Sequence, residues 1–175
     1  MKKLLIPFLA FIITNNLWAE RIRTLSCNDK NEKNLISLLG YVNDNWGSVE
    51  KLWEQEGGRG YPRCLKRRLI RNGVVVCHRR NFVGPEYHRC VGTNGWANVG
   101  GIRAHVCPSF FDQTEKMEYH NQRACYAGLL FRLYGKNCYK RSRFPKSYMT
   151  LVEFGFKWYA QNNPVTTQFR DCSFE

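Results

Sequence analysis

His105-Val106-Cys107-Pro108-Ser109-Phe110-Phe111 leads, through a polar stretch, into Cys125-Tyr126-Ala127-Gly128-Leu129-Leu130 and then Gly135-Lys136-Asn137-Cys138-Tyr139. The apolar run Ile102 to Val106 reads as a strand that ends on a cysteine and a proline. Asp112-x-x-Glu115 follows as a cap for a helix that closes near Tyr134-Gly135. This passage from strand to helix sets the frame into which the flanking segments have to fit.

Upstream, Leu35, Leu38, Leu39, Val42, Trp46, Val49 and Trp53 recur every three or four residues behind Asp29-x-x-Glu32, which predicts one amphipathic helix ending at Gly57-Gly58. From Arg59 to Cys107 the pattern changes to short runs, Val74-Val75-Val76, Tyr87 to Val91 and Ile102 to Val106, separated by glycine-rich turns. Three or four strands are expected there. Downstream, Pro145 is placed to open a further helix through Tyr159, stopped by Asn162-Asn163-Pro164. The reading is α+β: an N-terminal helix, a small twisted sheet, then two or three helices.

The first nineteen residues carry Lys2 and Lys3, an apolar run from Leu4 to Ile13 and a small-residue cleavage site after Leu17-Trp18-Ala19. That pattern predicts a signal peptide over 1–19, no transmembrane segment in the mature form, and a single domain over 20–175 delivered to the periplasm or outside the cell. Export would expose Cys27, Cys64, Cys77, Cys90, Cys107, Cys125, Cys138 and Cys172 to oxidation, so up to four disulfides are expected, with the pairing open. Lysines and arginines number 27 against 14 acids. Such an excess favours anionic partners or serves solubility. The basic residues Arg63, Lys66, Arg67, Arg68, Arg71, Arg79 and Arg80 are interleaved with Tyr61, Phe82 and Tyr87, the composition of a charge-plus-stacking surface, or of a solvated face over core aromatics.

Three stretches together resemble the aspzincin metalloendopeptidases, the deuterolysin and peptidyl-Lys endopeptidase group. Thr93-Asn94-Gly95-Trp96 through Phe110-Phe111 is similar to the family's glycine-rich loop and edge strand. Phe131 through Tyr139 is similar to its Gly-Thr-x-x-Asp-Tyr region, and Trp158-Tyr159-Ala160-Gln161-Asn162-Asn163-Pro164 to its closing Tyr-Phe-x-Glu-Asn-x-Pro. The resemblance implies a zincin-like, disulfide-stabilised fold with an active-site helix. It also implies that the chemistry is gone: Tyr126 and Leu130 stand where the family has its zinc histidines, Ala127 where it has the catalytic glutamate, and Cys138 where it has the aspartate ligand. No His or Glu occurs between Asn121 and Thr150 to replace them. Catalytic zinc needs about three protein ligands, an open position and a nearby base.

The expectation is therefore a domain that binds rather than cleaves, with no cofactor and no metal, whose partner is a protein or peptide, or an anionic envelope polymer. Nucleic acid is a less favoured partner. The alternative is a hydrolase, peptidase or nuclease, working through His78, His88, His105 or His120 with Glu86 or Glu118. On a strand, Glu86 and His88 would share a face; on a helix, Glu118 and His120 would diverge. Cys77-His78, His88-Arg89-Cys90 and His105-Val106-Cys107 lack the spacing of a zinc motif, and an oxidising compartment turns such cysteines toward bridges.

Overall fold

The computed structural model describes residues 23–58, 62–80, 84, 86–138, 148–172 and 174. The leader over 1–19, Tyr61, Phe82, Tyr139 and Pro145 lie outside the described residues.

Among the described residues ten helices and strands follow one another: β1 (Arg23–Leu25), α1 (Asp29–Asp44), α2 (Trp46–Gln55), α3 (Arg63–Arg67), β2 (Val74–Cys77), β3 (Gly95–Ala97), β4 (Arg103–Val106), α4 (Pro108–Thr114), α5 (Tyr119–Cys138) and α6 (Tyr148–Gln161). A π-helical turn, Arg68–Asn72, extends α3, and 3-10 turns lie at Tyr87–Cys90 and Phe169–Asp171. The expected α+β class holds, with one four-stranded sheet in the order β1-β2-β4-β3. β1 and β4 run parallel to β2, while β3 pairs antiparallel with β4.

The long N-terminal helix is two helices. Leu35, Leu38, Leu39 and Val42 are buried in α1, and Trp46, Val49, Leu52 and Trp53 in α2. The chain turns at Asn45, whose φ of −109° and ψ of 23° are not helical and whose side-chain amide donates to the Tyr41 carbonyl at 2.9 Å. The N-cap is Asn28, one residue before the expected box, its Oδ1 accepting from the Asn31 amide at 2.8 Å. Asp112 opens no helix either: it sits inside α4, which begins at Pro108, and α5 starts anew at Tyr119. Tyr87–Cys90 is a 3-10 turn rather than a strand, so Glu86 and His88 do not share a strand face. The fourth strand is β1, which precedes α1. At the C-terminal end, α6 stops before Asn162-Asn163-Pro164 as expected.

α5 is the centre of the molecule. It is buried nearly all round, packing on α6 along one side and on β3 and β4 along another. The α5–α6 approach is close because glycines line it: a Cβ on Gly155 would stand 2.7 Å from the Ala127 carbonyl oxygen, and one on Gly135 would stand 2.4 Å from Leu151 Cδ1. Helix axes come this near only where side chains are absent. Burial also takes one residue, Arg68, out of the expected basic surface. Arg68 is buried and donates to Asn72 Oδ1 at 3.1 Å. Arg123 is buried too, donating to Ser37 and to the Tyr119 hydroxyl, with the rings of Tyr41 and Tyr159 beside it.

All eight cysteines pair: Cys27–Cys77, Cys64–Cys138, Cys90–Cys107 and Cys125–Cys172. The second ties α3 to the last residue of α5, and the fourth ties α5 to the C-terminal segment. Among the described residues no helix is long and apolar enough to cross a membrane.

Candidate functional site

The sheet has two unlike faces because strand residues alternate. In register, Val75, Ala104 and Ala97 form one row, buried toward the helices. The next row along is Val76, His105 and Trp96. His78, two residues beyond Val76, extends that second face, its amide donating to the Val106 carbonyl at 2.9 Å. Parallel pairing of β2 with β4 thus brings together two histidines 27 residues apart in the chain, with His78 Nε2 and His105 Nδ1 2.9 Å from each other. Glu86 joins them: one ligand atom from each of His78, Glu86 and His105 lies within 4.8 Å of the others, the donor set of a divalent-cation site.

Packing holds this group rigidly. The Trp96 ring lies flat on His105, centroids 3.5 Å apart and planes 9° from parallel. Arg89 sits over Trp96 with its guanidinium carbon 4.6 Å from the ring centroid, while its Nη1 donates to Asn98 Oδ1 at 3.2 Å. The Cys90–Cys107 bridge fastens the 3-10 turn that carries Arg89 to the residue just beyond β4, and Cys27–Cys77 anchors the residue before His78. His105 is only 3% exposed, and His78 8%. Burial, helped by the charges of His78, Arg103 and Arg89, lowers the His105 pKa to about 4. Burial lowers that of His78 as well, with Glu86 opposing. Both rings are therefore neutral near pH 7, and the short contact is a hydrogen bond between one ring N–H and the other ring's lone pair.

A concavity of about 320 Å³ opens beside the pair, lined among others by His78, Arg79, Arg80, Val91 and Ser109. Arg80 is held at its rim by Asp112, at 2.6 Å. Ser109 Oγ donates to the Thr93 carbonyl at 3.3 Å. Arg63, Arg67 and Arg71 are exposed on α3 and its π-helical extension, before β2, whereas Arg79 and Arg80 follow it. The expected basic surface is thus divided into two patches by a strand of four residues, about 13 Å at ~3.3 Å per residue. Lys66 is half-buried with its Nζ 5.5 Å from the Trp46 ring centroid.

The remaining expected residues lie elsewhere. Tyr126, Ala127, Leu130 and Cys138 are each no more than 1% exposed, and all four sit on α5 inside the core. Tyr126 packs against Phe110 and Phe111, burial raising its pKa to about 12. Cys138 is bridged to Cys64. His88 is exposed on the 3-10 turn, and His120 Nδ1 meets the Tyr159 hydroxyl at 3.1 Å at the start of α5. Glu118, just before α5, is exposed. So two of the four histidines and one of the two glutamates converge. Searches of protein-family models, curated proteins and solved structures find no match to this chain.

Trp96, Arg89 and Ser109 were not singled out from the sequence. Their one signal was indirect: His78 and His105 each stand within two residues of a cysteine at a strand end, and a bridged cysteine fixes what surrounds it.

Proposed function

We propose that this is an exported, zincin-like domain that binds an anionic polymer of the cell envelope and does not cleave peptides. The observation that carries the reading is the concavity at His78, where Arg79 and Arg80 converge beside the one group of buried histidines. The Arg79 guanidinium at the hollow, beside an Arg80 whose Nη2 is engaged by Asp112, suits a carboxylate- or phosphate-bearing unit, gripped through paired N–H donors. The non-peptidase part is supported by the state of α5. A zincin needs an open cleft along its ligand-bearing helix, and here the corresponding positions are filled by Tyr126, Ala127 and Leu130 packed in the core. Four disulfides suit a domain that works outside the cytoplasm.

The test is binding of the oxidised mature chain to an immobilised anionic polymer, polyglutamate or polyphosphate, over a salt series. Arg79→Ala with Arg80→Ala should weaken binding at least about tenfold, while Arg67→Ala with Arg71→Ala should change it by less than about threefold. Equal losses in both pairs would reduce the reading to unspecific charge attraction. Chelator-sensitive cleavage of an unfolded protein substrate would overturn its non-peptidase part.

The hydrogen-bonded histidines support one second reading, hydrolysis at the same hollow. His78 lines the hollow and is oriented through its Nε2 by His105, the arrangement of a general base held by a partner. His105, with a pKa of about 4, is not the matching acid at neutral pH. Release of soluble fragments from the bound polymer, lost in His78→Gln, would favour hydrolysis over binding alone.

A further inference from the structure

We infer that His78, Glu86 and His105 are the protein ligands of a zinc ion whose remaining coordination position opens into the Arg79 and Ser109 hollow. The inference is independent of anion binding, since neither Arg79 nor Arg80 supplies a ligand. It concerns a different place from the family site implied by the sequence, none of whose positions lies on this face of the sheet.

The rearrangement required is confined to side chains. In tetrahedral zinc sites, bonds of about 2.0–2.1 Å place two ligand nitrogens about 3.3 Å apart. His78 Nε2 and His105 Nδ1 now stand at 2.9 Å, so these nitrogens have to part by about 0.4 Å and their rings tilt to turn both lone pairs toward the ion, while Glu86, whose carboxylate belongs to a group with one ligand atom per residue within 4.8 Å of the others, closes in by a side-chain rotation. The proton that the two nitrogens share moves to the far nitrogen of its own ring, a change of tautomer that leaves the imidazole neutral and its lone pair directed at the metal. Two imidazoles and one carboxylate with an open position is a set that zinc takes in catalytic sites. The set discriminates against calcium and magnesium, which select oxygen ligands.

The surroundings do the work of a supporting shell. Trp96, flat against His105, fixes the plane of that ring; the amide bond from His78 to Val106 and the bridge at Cys77 fix the position of the other. The ion would arrive through the hollow that His78 lines. With one carboxylate among its ligands, zinc would keep a net positive charge, and Arg79 beside the open position adds to it. The fourth ligand is therefore expected to be an anion or an ionised water.

The experiment uses the oxidised mature chain, stripped with chelator and titrated calorimetrically with Zn²⁺ alone. One ion per chain is expected. His78→Gln and, independently, Glu86→Gln should each lower affinity at least about tenfold, whereas the double variant His88→Gln/His120→Gln should leave it unchanged within about threefold. Thermal unfolding of each stripped variant is measured first. Glu86→Gln, isosteric and at a half-buried position, keeps the test decisive even where a histidine change weakens the fold. Absence of stoichiometric binding by the wild-type chain would overturn the assignment. So would binding that survives both ligand changes, or that disappears with His88 and His120.

Discussion

The two faces of the sheet are one residue apart in register and differ in kind. On β4, Ala104 points into the core while His105 points to the face that carries Trp96 and His78. The inner face is closed by a twenty-residue helix, apolar contact and glycine-mediated close approach. The outer face carries Glu86 and Arg89 beside the sheet, is flanked by the Cys27–Cys77 and Cys90–Cys107 bridges, and keeps its two histidines paired with each other. The positions at which the sequence resemblance places a lost active site are packed in the core on the inner side, and the paired histidines stand on the other.

The sharpest way to break this contrast is to return a family residue to the inner face. Ala127→Glu puts an unpaired carboxylate at a site 1% exposed, so a loss of about 3–5 kcal/mol is expected, read in denaturant unfolding or as failure to recover oxidised protein. Near-native stability would mean that α5 borders a cleft after all. Next in size, removing the Cys64–Cys138 bridge by serine substitution at both positions should cost about 2–4 kcal/mol. The same change at Cys90 and Cys107 should cost about 1 kcal/mol less, because 17 rather than 74 residues separate the pair, yet only this change should weaken binding at the hollow. Gly155→Ala, which drives a methyl against the Ala127 carbonyl, is expected to lower stability by about 1–3 kcal/mol. Smallest is Arg89→Ala on the outer side, where loss of the contact to Trp96 should cost about 0.5–1 kcal/mol in thermal unfolding.

The inner face was largely legible in the sequence and the outer face was not. Leu35 through Trp53 announced their burial by spacing alone, although the spacing runs unbroken through Asn45 and so hid the turn between α1 and α2. Tyr87 to Val91 reads as a short aromatic and apolar run, but the bridge from Cys90 to Cys107 and its own local bonding close it into a 3-10 turn. β1 is three residues, Arg23-Thr24-Leu25, too short to show a period. Arg68 counted as surface charge because its burial and its partner Asn72 are defined only by folding. The histidine group required the register of β2 against β4, which no local pattern encodes; each histidine alone was one of four equal candidates.

The four bridges also set a problem in the order of events. Taken along the chain, only Cys90 and Cys107 are consecutive cysteines that belong together; Cys27 must pass over Cys64 to reach Cys77, and Cys64 must wait for Cys138. A chain that appears N-terminus first and oxidises neighbours as they come would join Cys27 to Cys64 and leave Cys77 with the wrong partner. Its route to the native state then runs through thiol–disulfide exchange, on a scale of seconds to hours. This protein should accordingly be made well only where an isomerase or a thiol buffer accompanies the oxidant, and oxidant alone should yield soluble chains with scrambled bridges and no assembled histidine pair.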